Sequence, residues 1–388
     1  MIQRKIENEL KELINEVPVL TITGPRQAGK TTLARALFPE YTYVNLEDQK
    51  TRELAINDYE GFFAKYKEPM IIDEVQRVPE LLSAIQIRVD ENRDINGRFV
   101  LTGSHQPKLR EGIAQSLAGR TSIVTLLPLS IEEISDSDTT IPDINHLILY
   151  GFMPEMYKEG QKRRPYIYYK DYLETYIEKD LRQMKNIKDL DKFIRFLTLL
   201  AGRVGQVVNL SSMSGEIGVS SATLSEWLSL LIASNVVFEL KPYFSNISKR
   251  IVKNSKLYFT EIGLASYLLG LEEEDQVDRD PLRGQLFENL VVVEALKARL
   301  NRNKKPNLYY VRTEKGVEVD LIFKSVRNLI PFEIKSAMTP TVGFSKNLDA
   351  FCDAEPTAED KSVIYTGEEY PSYKGTRYIN YSNISKFV

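Results

Sequence analysis

Gly24-Pro25-Arg26-Gln27-Ala28-Gly29-Lys30-Thr31 is the stretch on which the fold turns. It follows the apolar run Val19 to Thr23 (VLTIT) and precedes Thr31 to Phe38 (TTLARALF), so a glycine-rich loop joins a predicted strand to a predicted helix. Backbone N–H groups of such a loop can wrap phosphates, Lys30 adds a point charge for the outer phosphates, and the Thr31 hydroxyl can ligate Mg²⁺. Residues Gly24 to Thr31, with Thr32, are therefore the expected site for ATP and Mg²⁺.

Working outward, TYVNLE, PMIIDE, RFVLTG and SIVTLLPL are further apolar runs separated by helical stretches. That alternation predicts a parallel sheet covered on both faces. The run from Pro69 ends in Asp73 and Glu74, which places two acids at the carboxyl edge beside the phosphate loop. Asp73 is expected to orient Mg²⁺, and Glu74 to act as general base on the attacking water. Thr102 and Ser104 end the next strand, and either senses the terminal phosphate or caps a helix. Arg120 is the candidate charge-stabilising arginine, in cis or for a neighbouring subunit; a plain surface arginine is the other reading.

The chain has 388 residues, 43% hydrophobic and 27% charged, with net charge −3. Its length predicts two to three globular domains, and its composition excludes disordered, collagen-like and coiled-coil classes. One cysteine excludes an internal disulfide, and two histidines exclude a Cys/His zinc cluster. A reducing, cytoplasmic setting is expected, with no membrane span, because the apolar runs fall far short of about 20 residues. Acidic SIEEISDSDTTIPD (130–143) and LEEEDQVDRDP (271–281) mark candidate boundaries, giving expected units 1–143, 144–270 and 271–388.

In the middle unit, Met213 to Ala233 reads as helix, turn, helix, capped by Ser220 or Ser221. Leu224, Trp227, Leu228 and Leu231 form the buried face of the second helix. A following hairpin gives the pattern of a winged helix, with Lys241, Lys249, Arg250, Lys253 and Lys256 as candidate DNA contacts. Tyr243 and Phe244 either stack on a base or fill the core. The second helix presents no outward Arg or Lys, so the expected partner is DNA read without sequence preference. In the last third, period-2 alternation puts Glu318 and Asp320 on one face of a strand, and Glu333 and Lys335 on one face of the next. The turn KSVRN makes a hairpin that brings Asp320 beside Glu333 and Lys335, with Glu288 on the preceding helix. Acids and a lysine so placed suit metal-assisted phosphodiester hydrolysis; simple Glu–Lys pairing is the other reading.

GPRQAGKTTL, MIIDEVQ, LTGS and LAGR followed by PLS, with GFMPEMY, YLETYIEKDL and KLYFTEIGL further on, resemble a group of bacterial and archaeal AAA-type ATPases. In that group the ATP-binding domain precedes a domain of unknown function. The resemblance spans nearly the whole chain. It implies an α/β fold class: a P-loop parallel-sheet ATPase domain, a helical winged-helix middle and a C-terminal α/β unit resembling the restriction-endonuclease core. Glu288, Asp320, Glu333 and Lys335 match the nuclease core positions. Where the usual AAA sensor position favours asparagine, this chain offers Thr102 and Ser104. The expected protein is a Mg²⁺-dependent ATPase acting on DNA as a homo-oligomer. Its alternatives are an ATP-controlled oligomeric switch and an ATP-regulated nuclease.

Overall fold

The computed structural model describes residues 2–104, 107–137, 142–158, 163–175, 187, 189–243, 254–314 and 316–388. The phosphate-loop half is a five-stranded parallel sheet: β1 (Val19–Gly24), β2 (Thr42–Asn45), β3 (Met70–Asp73), β4 (Phe99–Ser104) and β5 (Thr121–Thr125). Their order across the sheet is β2-β3-β4-β1-β5. All five expected runs form strands. β1, β3 and β4 are buried along their whole length because helices cover both faces, so the runs read as continuous rather than alternating apolar sequence. Val19, Ile72, Phe99 and Leu101 pack on one side with Leu82 and Ile85 of the helix Leu81–Glu91. Leu20, Ile22, Ile71 and Val100 pack on the other with Leu10 and Leu33, from the helices Glu7–Leu13 and Lys30–Leu37.

The acidic stretch 130–143, read from the sequence as a candidate boundary, is docked against the fold through the helix Ile131–Ser135. Ser130 caps the helix Ile131–Ser135 in a capping box with Glu133. Ile131 and Ile134 are buried, and the Glu133 carboxylate meets the buried Arg4 guanidinium at 3.0 Å. Three residues apart on a helix, the two isoleucines share one face, and Glu133 finds charged and backbone partners there, so this one face goes inside while Ser135 and Asp136 stay exposed.

The remaining chain builds one larger body. Helices Ile144–Tyr150, Pro165–Tyr172, Leu190–Ala201, Leu210–Ile217 and Ser221–Ala233 lead into the antiparallel hairpin β6 (Val237–Pro242) and β7 (Lys256–Phe259). Val207 pairs with Lys256 through a single antiparallel bridge. Trp227 packs edge-on to Phe193, 5.3 Å between ring centroids. After the helices Ile262–Leu268 and Glu274–Arg279 comes the long helix Arg283–Leu300, then β8 (Leu308–Arg312), β9 (Glu318–Lys324), β10 (Leu329–Lys335), the helix Lys346–Ala354, β11 (Ser362–Tyr365), β12 (Tyr370–Tyr373) and β13 (Thr376–Asn380). The eight strands run β12-β13-β11-β10-β9-β8-β6-β7. Because β6 pairs in parallel with β8, Lys241 opposite Tyr309, the boundary near residue 270 separates two stretches of chain but not two sheets. Their apolar core is also shared.

The long helix is buried on nearly every side from Leu286 to Arg299, so its polar members all find partners. The Asn289 side chain exchanges two hydrogen bonds with the Phe259 backbone, at 2.7 and 2.9 Å. Glu294 accepts from Ile131 N, and Lys297 donates to Glu294 and to Leu129 O, each at 2.7 Å. Among the described residues no helix is long and apolar enough to cross a membrane.

Candidate functional site

The carboxyl ends of β1, β3 and β4 bring the expected residues together. Gly24 has φ +151°, and a Cβ there would stand 2.0 Å from Leu126 O, so this loop root accepts only glycine. Gln27 and Gly29 also take positive φ, which turns the loop around the start of the helix Lys30–Leu37. Lys30 is folded back over its own loop, donating to Gly24 O at 3.2 Å and Pro25 O at 2.8 Å. Burial pushes its ammonium down to about 8 against the opposing pull of Glu74 and Asp73.

Asp73 is buried, and three hydroxyls donate to it: Thr31 at 2.8 Å, Tyr43 at 2.8 Å and Thr102. Among the described residues no cation pairs with it. A buried carboxylate with neutral donors, beside a threonine hydroxyl, is a hard-oxygen set that fits Mg²⁺. Glu74 follows at φ +57°, uncommon for a residue with a Cβ, and Gln76 Nε2 donates to its carboxylate. Burial raises the Glu74 pKa above the ordinary value, partly offset by Lys30. Gly103 leaves room for Gln76, since a Cβ there would lie 2.5 Å from Gln76 Oε1. Ser104 sits beside Gly24 in the β1–β4 register.

Sequence reasoning missed four of the residues around this loop. Tyr43 and Gln76 bear on the two acids. Arg4 donates to Ala28 O at 2.9 Å and Leu127 O at 2.7 Å, tying the N-terminal segment to the loop. Tyr168, on the helix Pro165–Tyr172, donates to Gln27 Oε1 at 2.5 Å. Gln76 closes the MIIDEVQ stretch, two residues after Glu74, whereas no motif or short spacing connects Tyr43, Arg4 or Tyr168 to the loop. A cavity of about 570 Å³, lined by Arg4, Gly29, Thr32, Leu33, Pro154 and Tyr157 among others, opens beside the loop helix and is of ligand size.

The cis reading of Arg120 requires a correction. The residue precedes β5 at the amino edge of the sheet, where Val19 N donates to its carbonyl, and its guanidinium grips Asp90 with two 2.8 Å bonds. Strand β1 separates that edge from the loop, so Arg120 does not serve the phosphate site of its own chain.

Of the expected DNA contacts, Lys241 is exposed on β6, whereas Lys249, Arg250 and Lys253 lie outside the described residues, as does Phe244. Tyr243 packs edge-on to Tyr309 at 5.8 Å. Lys256 is also corrected: it is 2% exposed and points inward. Its ammonium lies 3.0 Å from Glu288, 2.7 Å from Glu318 and 3.8 Å from Asp320. Burial lowers its pKa, but these carboxylates outweigh that and hold it above the usual lysine range. The side chain is drawn inside because β6 and β7 join the sheet that carries the acids.

The predicted convergence of Asp320, Glu333 and Lys335 is present. Lys335 stands 2.6 Å from Glu333 and 3.9 Å from Asp320, and Asp320 accepts from Ile334 N at 2.9 Å. Glu288 joins them through Lys256, with Tyr258 OH donating to it at 2.6 Å. Burial, then the neighbouring carboxylates, push Glu333 up to about 7; burial with Asp320 nearby does the same to Glu288. Among the described residues no three acids are grouped as ligands for a metal ion. The Lys256 ammonium, within 4 Å of Glu288, Glu318 and Asp320, holds the centre of these carboxylates and would repel a divalent ion placed among them. The cluster as it stands does not fit Mg²⁺.

Three family models match the chain: an AAA domain over residues 16–135, and domains of unknown function over 141–275 (DUF8612) and 283–384 (DUF4143). Two relatives, the uncharacterized proteins Mb2031c of Mycobacterium bovis and Rv2008c of Mycobacterium tuberculosis, are each 30% identical over 374 residues. Those alignments cover 94% of this chain and 80% of either relative. The uncharacterized protein MJ1637 of Methanocaldococcus jannaschii is 25% identical, covering 75% of this chain and 69% of its own length. Among solved structures, the Walker-type ATPase PABY2304 of Pyrococcus abyssi is similar at 17% identity and a TM-score of 0.48, covering 69% of this chain and 96% of that one.

Proposed function

Because the chain belongs to the family of these two uncharacterized mycobacterial proteins and its residues 16–135 are a P-loop AAA domain, we propose that it is a Mg²⁺-dependent ATP hydrolase whose nucleotide state is passed to the rest of the chain. The observation that carries this reading is Asp73, buried against three hydroxyls with Glu74 turned into the left-handed region beside it. Lys30 would exchange the carbonyls of Gly24 and Pro25 for phosphate oxygens, with the loop N–H groups around them. Thr31 and Asp73 would hold Mg²⁺, which when bound offsets the charge of the phosphates. Glu74 would take a proton from a water whose oxygen attacks the γ-phosphorus, with ADP as the leaving group. The cavity beside Gly29 and Thr32 would take the nucleoside. Phosphate release by the full chain tests the reading: unchanged rates in both Lys30→Ala and Glu74→Gln would remove it.

The position of Arg120 favours a second element. With that arginine held by Asp90 at the far edge, a charge-stabilising arginine would come from elsewhere, and assembly into a homo-oligomer would supply it. In that case turnover rises with protein concentration, and light scattering with and without ATP reads the assembly. For DNA, we read the helices Leu190–Ala201, Leu210–Ile217 and Ser221–Ala233 with the hairpin β6–β7 as a winged-helix module making sequence-independent phosphate contact, with Lys241 as its exposed base. Filter binding over a salt series should then show a negative slope, and no retention even at low salt would exclude it.

A further inference from the structure

The C-terminal carboxylates already hold a cation, and it is part of the chain. We propose that the Lys256 ammonium occupies the place of a divalent ion among Glu288, Glu318 and Asp320, so that this cluster binds no Mg²⁺ or Mn²⁺ and acts as a fixed joint between the hairpin β6–β7 and the sheet β8–β10. Four observations carry the inference. Lys256 is almost wholly buried, and the carboxylates beside it are what keep its ammonium charged there. Its Nζ is 3.0 Å from Glu288 and 2.7 Å from Glu318, hydrogen-bonding distances for two of its three N–H donors, with Asp320 at 3.8 Å. Tyr258, two residues along β7 and on the same face, donates to the same Glu288 oxygen that Lys256 reaches. Lys335 neutralises Glu333 at 2.6 Å, which leaves no carboxylate of the group without a cationic neighbour.

The joint links distant stretches of chain. Glu288 lies on the long helix, Glu318 and Asp320 on β9, and Lys256 on β7, so one ammonium ties the helical unit to the C-terminal sheet. The inference does not rest on ATP hydrolysis and would stand if that reading failed.

Mn²⁺ binding to the full chain, free of nucleotide and carrying Asp73→Asn to remove the other metal candidate, tests it by electron paramagnetic resonance. Adding Asp320→Asn should leave the Mn²⁺ isotherm unchanged, because no ion sits at Asp320. Replacing Lys256 by methionine in the same background should create one Mn²⁺ site per chain, binding at least about tenfold more tightly than any seen before, and Asp320→Asn should abolish that new site. An Mn²⁺ site that is present with Lys256 intact and lost with Asp320→Asn overturns the proposal. So does a folded Lys256→Met chain that gains no site. If circular dichroism shows Lys256→Met unfolded, the first comparison decides alone, since it leaves the lysine in place.

Discussion

Asp73 at the end of β3 and Asp320 within β9 are both buried aspartates with other acids nearby, yet they differ in what already faces them. Asp73 has hydroxyls from Thr31, Tyr43 and Thr102, all neutral, so its charge remains available to an incoming cation. Asp320 has two ammonium groups within 4 Å, so its charge is already balanced by the chain. Counting acids does not separate a metal site from a salt network; the charge of their hydrogen-bond donors does.

The largest effect that could break this comparison lies at the first site. Glu74→Gln or Lys30→Ala should lower the rate of phosphate release by about 100-fold or more, the usual scale for losing a general base or a phosphate-binding charge. Glu333→Gln, at the second site, should leave that rate within about twofold. Equal losses from both would mean that the two regions are one functional unit.

The second test is stability. Lys256→Met leaves Glu288 without a cation, and Glu318 and Asp320 with only Arg312 at 3.5 Å and Lys335 at 3.9 Å, so it should cost about 3–5 kcal/mol, the range for breaking a buried ion pair from one side. Asp73→Asn removes no ion pair and should cost much less. Trp227, the only tryptophan, lies in the core shared with the C-terminal sheet, so its fluorescence during denaturant unfolding reads the Lys256 effect.

The two sites should also respond to pH in different windows. Lys30 sits near 8 in the free loop, and phosphates would hold its proton to higher pH. Nucleotide binding therefore takes up a proton above pH 8, and affinity falls by about tenfold per pH unit there. Calorimetry in two buffers of different ionisation heat, at pH 8.5 and 6.5, reads the uptake, which should vanish at the lower value. Glu288 and Glu333, raised to about 7, bind more protons folded than unfolded between their ordinary value of 4.5 and 7. Their contribution to stability is present below that window and is lost as pH rises through 7, so the Trp227 unfolding midpoint should drop between pH 5 and pH 8.

What the sequence disclosed follows the reach of each signal. The loop Gly24–Thr31, the strand ending in Asp73 and Glu74, and the hairpin facing Asp320 with Glu333 rest on local spacing, and local spacing survives folding. For Arg120 only the cis reading fails, and a signal against it existed. The residue precedes its strand, and in a parallel sheet that puts it at the edge opposite the phosphate loop. Lys256 carried no such signal: it reads as one basic residue in a basic stretch, and only the pairing of β6 with β8 turns it inward. Tyr168 and Arg4 are likewise joined to the loop by contacts between distant segments, 141 and 24 residues apart.

The smallest expected effect tests whether the two sites are linked. Tyr168 donates to Gln27 in the phosphate loop, its neighbour Tyr169 donates to Glu261 at 2.9 Å, and Glu261 lies two residues beyond the end of β7, the strand that carries Lys256. This is a continuous set of contacts from loop to joint, and contiguity alone does not establish coupling. Tyr168→Phe removes one hydroxyl and one hydrogen bond, about 1 kcal/mol, so nucleotide affinity should change by no more than about tenfold. The decisive reading is hydrogen exchange in β7. If the loop and the joint are coupled, nucleotide slows exchange at Leu257 to Phe259 in the wild-type chain and does so less in Tyr168→Phe. If exchange there ignores nucleotide in both, the two carboxylate sites are neighbours in one chain without being parts of one switch.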